Sequence, residues 1–202
     1  MSTIAFSPAQ PVLADRLGAR SLVTNIAFVF GGALLTAGAA QISIPMWPVP
    51  ITGQSFAVLL VGTTLGMWRG LLSMLTYLAL GALGLPVFTN AQGGLDSLSG
   101  GPTVGYLLGF VLAGAVTGWL AQRGLSRSAW GAATIFLAGE LVIYAIGLPW
   151  LASFLGSVGA PNDVASTLTA GFYPFIVGDV LKAVLAGALL PLSWKLVNRT
   201  NK

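Results

Sequence analysis

The sequence predicts an all-α integral membrane protein of six transmembrane helices, with its N- and C-termini cytoplasmic. Three observations carry that prediction. Hydrophobic residue types fill 55% of the 202 positions and charged types only 7%, whereas a water-soluble domain carries about 25% charged residues. The apolar residues fall in runs close to the ~20 residues that a helix needs to cross a bilayer. The basic residues lie between those runs and fall on one side once the runs are threaded through a membrane.

The first run, 22–44, is apolar apart from Asn25, Gln41 and small hydroxyl residues. Pro45, Pro48 and Pro50 stop it, because proline lacks the amide donor and clashes with the preceding turn. Runs 51–68 and 70–84 are short for complete spans, and one broken element is the alternative to two. Arg69-Gly70 offers a hairpin corner between them, so two short spans are expected. The later spans are 104–122, 129–148 and 172–197, and the whole of 1–202 reads as one membrane domain. The stretch up to Gln10 has no basic n-region and no apolar h-region follows, so a short cytoplasmic tail is expected rather than a signal peptide.

With six spans and the N-terminus inside, Arg16, Arg20, Arg69, Arg123, Arg127, Lys195, Arg199 and Lys202 are all cytoplasmic. The opposite loops hold no Lys or Arg, only Asp96 and Asp163. Two of those loops, 85–103 and 149–171, mix Gly and Pro with apolar side chains. They are long enough to act as binding elements folded onto the bundle, with Phe154 on a short interfacial helix.

Composition excludes several function classes. The chain has no Cys and no His, which rules out disulfides, thiolate chemistry and His-based metal sites or triads. Five acidic residues, widely scattered, do not make a carboxylate metal cage. No resident cofactor or metal is expected. The net charge of +4 is spread as topology signals, so nucleic acid is not an expected partner, whereas membrane lipid is. Without His, Cys or a G-x-S-x-G elbow, the chain is not expected to be an enzyme.

Three ionisable residues fall inside spans: Glu140, Asp179 and Lys182. Each charge costs about 2.5–3.5 kcal/mol at a helix centre on insertion scales, so such residues face the bundle interior and mark a solute or ion path. All three lie two to three turns from the outer ends of spans five and six, which points to one shared polar pocket. Asp179 and Lys182, at i and i+3, share a helix face. A plain intrahelical ion pair is the alternative to a site in which Lys182 holds an anionic group and Asp179 accepts from solute N–H donors. Glu140 adds a second acceptor or holds Lys182 in place. Of the aromatic residues at this depth (Trp47, Tyr106, Tyr144, Trp150, Phe172 and Tyr173), Tyr144 lies one turn from Glu140 on the same face and is the foremost candidate for ligand contact, against the interfacial belt for the others. The pocket as a whole suits a small carboxylate solute. In the first span, Ala33 and Ala37 form a small-xxx-small pair, which serves either packing within the bundle or docking of another subunit.

Several stretches resemble one family. PVPITGQSFAVLL (48–60), YLALGALGLPVFTN (77–90), GGPTVGYLLGF (100–110) and GDVLKAV (178–184) stand in the order and spacing of the BioY family, the biotin-binding S component of energy-coupling factor (ECF) transporters. The resemblance covers essentially the whole chain. It implies a six-helix fold in a bacterial or archaeal cell membrane, with biotin captured near the outer face. It also implies a complex with one transmembrane coupling protein and two ABC-type ATPases, whose ATP hydrolysis drives uptake. The chain has no Walker A sequence, so it is not itself the ATPase. By this resemblance Asp179, Lys182 and Asn90 are substrate-binding residues, and Ala33 and Ala37 a subunit-docking motif. Either end of biotin could meet Lys182. The competing reading is an autonomous proton-coupled transporter of small carboxylates working through Glu140 or Asp179. The absence of a visible inverted repeat weighs against it.

Overall fold

A computed structural model describes residues 9–17 and 21–200. Arg20 and Lys202, two of the basic residues used to orient the chain, lie outside the described residues. The chain order is a one-turn helix α1 (Ala14–Leu17), α2 (Leu22–Ala40), a two-stranded hairpin of β1 (Ser43–Ile44) and β2 (Ile51–Thr52), then α3 (Gln54–Leu65), α4 (Met67–Ala82), α5 (Val104–Ala121), α6 (Ala129–Ser157), α7 (Val164–Gly171) and α8 (Ile176–Thr200).

Helix α2 starts where Ser21 Oγ accepts the amide of Thr24 at 3.1 Å, the usual way a hydroxyl satisfies a free N-terminal N–H. It ends at Ala40, four residues short of the expected Ile44. Ser43 and Ile44 leave the helix to pair with Thr52 and Ile51 in an antiparallel hairpin. Pro45, Pro48 and Pro50 shape its tip, and the Trp47–Pro48 peptide is cis.

The corner between α3 and α4 is at Gly66, not at Arg69-Gly70. Gly66 has φ +87°, which side-chain-bearing residues rarely adopt, whereas Arg69 and Gly70 lie within α4. Glycines also let three helices close up: a Cβ on Gly62 or Gly70 would fall 2.5 or 2.7 Å from the carbonyl oxygen of Gly114 on α5. That seam makes α5 the central helix. Two thirds of it (67%) is buried within the chain, against 17% of α2.

Helix α6 continues past the expected limit at Leu148. It runs unbroken through Pro149 to Ser157, 29 residues in all, or ~43 Å at 1.5 Å per residue. Much of what reads as an outer loop at 149–171 is therefore helical, and Phe154 sits on the last turns of α6 rather than on a separate helix. Asp163 caps α7, accepting the amides of Ala165 and Ser166 at 3.0 and 3.1 Å. Hydrogen bonds from Ser166 hold its carboxyl below the usual carboxylate range. A 3-10 turn at Tyr173–Phe175 leads into α8, so the last helix begins at Ile176 rather than 172.

Large apolar side chains are exposed along α2 (Leu22, Val23, Ile26, Leu34) and α8 (Val177, Val180, Leu181, Val184). Water does not tolerate contiguous surfaces of this kind and lipid does. Among the described residues, four helical stretches are long and apolar enough to cross a membrane: Leu22–Ala40, Val104–Ala121, Ala129–Ser157 and Val164–Arg199. The molecule is a multi-pass membrane protein. Residues ahead of α2 brace one end of the bundle. Val12, Leu13 and Ala14 are buried, the Gln10 amide donates to the Gln122 carbonyl at 2.8 Å, and Asp15 Oδ1 meets Arg69 Nη2 at 2.7 Å.

Candidate functional site

Three helices converge on one buried polar cluster. The first two turns of α8 carry Asp179 and Lys182, mid-α6 carries Glu140 and Tyr144 at i and i+4, and the first turn of α3 carries Ser55. Lys182 Nζ donates to Asp179 Oδ1 at 2.9 Å and to Ser55 Oγ at 2.7 Å, and it lies 3.7 Å from Glu140 Oε1. The Tyr144 hydroxyl donates to the other oxygen of Asp179. Glu140 and Asp179 are both buried. One cation thus faces two carboxylates, and a pair alone would have balanced the charge. Glu140 Oε1 has no hydrogen-bond partner among the described residues. A buried carboxylate oxygen in that state is an acceptor with unused capacity.

These groups form one side of a pocket of about 510 Å³, its open mouth included. Val49, Pro50, Leu107, Phe110, Ile143 and Phe175 supply apolar walls, and Gln54, Thr89 and Thr103 add polar groups. Gln54 is held by Tyr77, whose hydroxyl accepts from Gln54 Nε2 at 2.6 Å and donates to the Val87 carbonyl at 3.2 Å. The hairpin and the 85–103 loop are therefore tied to the same polar framework as the pocket wall. Pro50, Gln54, Thr89, Thr103 and Leu107 are shared with a second, wider groove.

The sequence-predicted residues divide. Asp179, Lys182, Glu140 and Tyr144 are brought together. Asn90 is not: it lines the outer groove, with φ +59° and its Oδ1 accepting from Ser43 at 3.5 Å. Ala33 is fully buried in the chain's own core, and Ala37, partly buried, packs against that core. Small side chains here let α2 approach its own neighbours, one of the two uses of such a strip. Among the aromatic residues, Tyr106 lines the pocket, hydrogen-bonds the Gly171 carbonyl at 3.0 Å and meets Tyr144 edge-on at 6.4 Å. Phe172 braces the far side of Tyr144 at 4.9 Å. Trp150 bonds the Gly101 carbonyl at 2.9 Å, and Trp47 and Tyr173 are exposed. Ser55 and Gln54 were missed as site residues, although both lie inside the PVPITGQSFAVLL stretch. Their signal was their place at the start of a helix directly after a proline-rich turn. Among the described residues no group of three or more His, Cys, Asp or Glu side chains is placed to hold a metal ion.

The model of the BioY family matches residues 10–199, nearly the full chain and every residue of this cluster. The chain belongs to the BioY family. Its relatives include the biotin transporter BioY of Thermotoga maritima, 44% identical over 81% of this chain and 90% of that protein. The probable biotin transporter BioY of Pyrococcus horikoshii is 43% identical over 75% and 85%. A crystal structure of the S-component for biotin from an ECF-type ABC transporter superposes with a TM-score of 0.70 at 27% identity, covering 88% of this chain and 95% of that one. The BioY family and these relatives are transporters, not enzymes.

Proposed function

We propose that this BioY family member is the substrate-capturing S component of an ECF-type transporter in the cell membrane. It binds biotin from the outer side and hands it on for uptake driven by ATP hydrolysis in partner subunits. Six spans, α2, α3, α4, α5, α6 and α8, with both termini cytoplasmic, complete the reading. This arrangement keeps the basic residues of the helix ends on one side.

The observation that carries the proposal is the buried Asp179–Lys182–Glu140–Tyr144 cluster opening on an apolar-walled pocket. Biotin has two ureido N–H donors, one ureido carbonyl, an apolar bicycle and a carboxylate tail. Glu140 and Asp179 provide acceptors for N–H groups, Lys182 a donor for a carbonyl or carboxylate, and Leu107, Phe110 and Ile143 a surface for the bicycle. The similarity to biotin transporters and to a biotin S-component supports that choice of ligand. The partner complex implied is one transmembrane coupling protein with two ABC-type ATPases. No resident cofactor is needed for capture.

Equilibrium binding of labelled biotin to the purified chain tests the capture step: saturable binding that disappears in Lys182→Ala is expected. Undiminished affinity in Lys182→Ala and Asp179→Asn would sink the proposed pocket. Uptake into vesicles tests the partnership. Accumulation that requires the ATPase subunits is expected, whereas uptake by the chain alone on a proton gradient would favour an autonomous transporter.

A further inference from the structure

A second polar site lies at the other end of the bundle. Lys195 follows Lys182 by 13 positions along α8, roughly 20 Å. There Arg16, Arg127 and Lys195 line a cavity of about 500 Å³, mouth included, with Pro191, Trp194 and Asn198. Three cations line it, and among the described residues no acid does. The acid nearest in sequence, Asp15, is already occupied: Oδ1 meets Arg69 at 2.7 Å and Oδ2 accepts the Val12 amide at 3.0 Å.

The cavity has an ordered anchor. The Arg127 guanidinium stacks over the Trp194 ring, 4.9 Å from its centroid, and donates to the Pro11 carbonyl at 3.5 Å. Trp194 is buried, and its indole N–H donates to Ser126 Oγ at 3.3 Å. A guanidinium held over an aromatic face has less side-chain freedom to lose when its remaining N–H donors meet an anion. On the face of α8 that bears Lys195, toward the middle of the bundle, Leu181, Val184 and Ala188 are exposed at 14, 11 and 7 positions before it, and Trp130 at the start of α6 is almost fully so. Cationic groups at the end of an apolar, lipid-facing helix surface match one molecule with both features: phosphate at one end and acyl chains at the other.

We infer that the Arg16–Arg127–Lys195 cavity binds the phosphate headgroup of an anionic phospholipid of the leaflet that carries the chain's basic residues, with the acyl chains lying along Ala188, Val184 and Leu181. Its basis is the membrane-spanning reading of the fold, and it is independent of biotin. A free phosphate shares the headgroup chemistry but has no use for the apolar strip.

The test uses the full chain purified in mild detergent. It is offered phosphatidylglycerol and phosphatidylcholine in equal amounts, and retained lipid is counted by native mass spectrometry. Phosphatidylglycerol should be retained preferentially. Arg127→Gln with Lys195→Gln should lower that preference roughly 30-fold, about five-fold per basic residue. Lys195→Gln alone, at an exposed position, should lower it about five-fold. Labelled-biotin binding should stay at its starting value in both variants, which separates loss of this site from loss of fold or of the biotin pocket. Equal retention of the two lipids, or a preference unchanged by either variant, overturns the inference. So does displacement of the lipid by millimolar inorganic phosphate, which would make the cavity a free-phosphate site. Unchanged lipid retention with lost ATPase co-purification in the double variant would make it a protein contact and equally overturns it.

Discussion

Two ion contacts in this molecule involve similar residue types and are built in opposite ways. At one end Asp15 and Arg69 close on each other. The carboxylate takes the guanidinium on one oxygen and the Val12 amide on the other. The guanidinium reaches back toward the Leu65 carbonyl at 3.4 Å and lies over Phe28 at 6.0 Å. In the interior, Lys182 is shared between Asp179, Glu140 and Ser55, and one carboxylate oxygen has no hydrogen bond among the described residues. In the first contact each carboxylate oxygen has a partner, and the pair does the work of a clasp. The second keeps unused acceptor capacity beside the cavity proposed above to take the solute. The distinction lies in how many bonds each charge still has to make, not in whether a salt bridge is present.

Substitutions can break that distinction. The largest effect is expected at Lys182. Lys182→Ala leaves two buried carboxylates facing each other with no cation, and removing one partner of a buried ionic group costs about 3–5 kcal/mol. Biotin affinity by isothermal calorimetry should fall by at least about 100-fold. Next is Glu140→Gln, which keeps the shape and one acceptor but removes the surplus charge. A roughly ten-fold loss of affinity is expected, about 1.4 kcal/mol, with no loss of thermal stability, because the charge was never needed for folding. A drop in melting temperature as large as that of a core mutant would show Glu140 to be structural instead. Tyr144→Phe removes the donor to Asp179 and should weaken binding about five-fold, the ~1 kcal/mol of an ordinary hydrogen bond. Smallest on binding is Arg69→Ala. It should lower the unfolding free energy by an amount between the ~1 kcal/mol of a surface pair and the ~3 kcal/mol of a buried one, and leave biotin affinity within about two-fold. A large binding defect in Arg69→Ala would erase the contrast drawn above.

The polar half of the site was legible for a simple reason. In a chain with so few charges, each one inside an apolar run must be accommodated, and helical spacing then says which of them share a face. Glu140, Tyr144, Asp179 and Lys182 could be assembled by that logic alone. Ser55 could not, because a small hydroxyl is cheap anywhere in a membrane helix and carries no signal until a cation is seen beside it. The packing of Ala33 was equally illegible: small-xxx-small spacing says that something approaches closely, not whether that neighbour belongs to the same chain. Helix limits failed where local and tertiary forces disagree. Pro149 reads as a stop, yet α6 absorbs it, since a helix packed on neighbours tolerates a lost hydrogen bond that an isolated one would not. The corner at Gly66 was hidden by the more conspicuous Arg69. Charge suits a helix end, but it is the left-handed backbone of Gly66 that turns the chain.

One side chain ties the lipid-facing part of the molecule to the rim of its pocket. Gln41, just past the end of α2, uses both ends of its amide on the loop that follows α4. Its Nε2 donates to the Phe88 carbonyl at 3.0 Å and its Oε1 accepts the Ala91 amide at 3.0 Å. Thr89, which borders both the pocket and the outer groove, lies between those two anchor points. The amide therefore works as a tie-rod between the outermost helix and the lip of the cavity. Helix α2 cannot roll about its axis without either carrying that lip with it or severing both bonds at once.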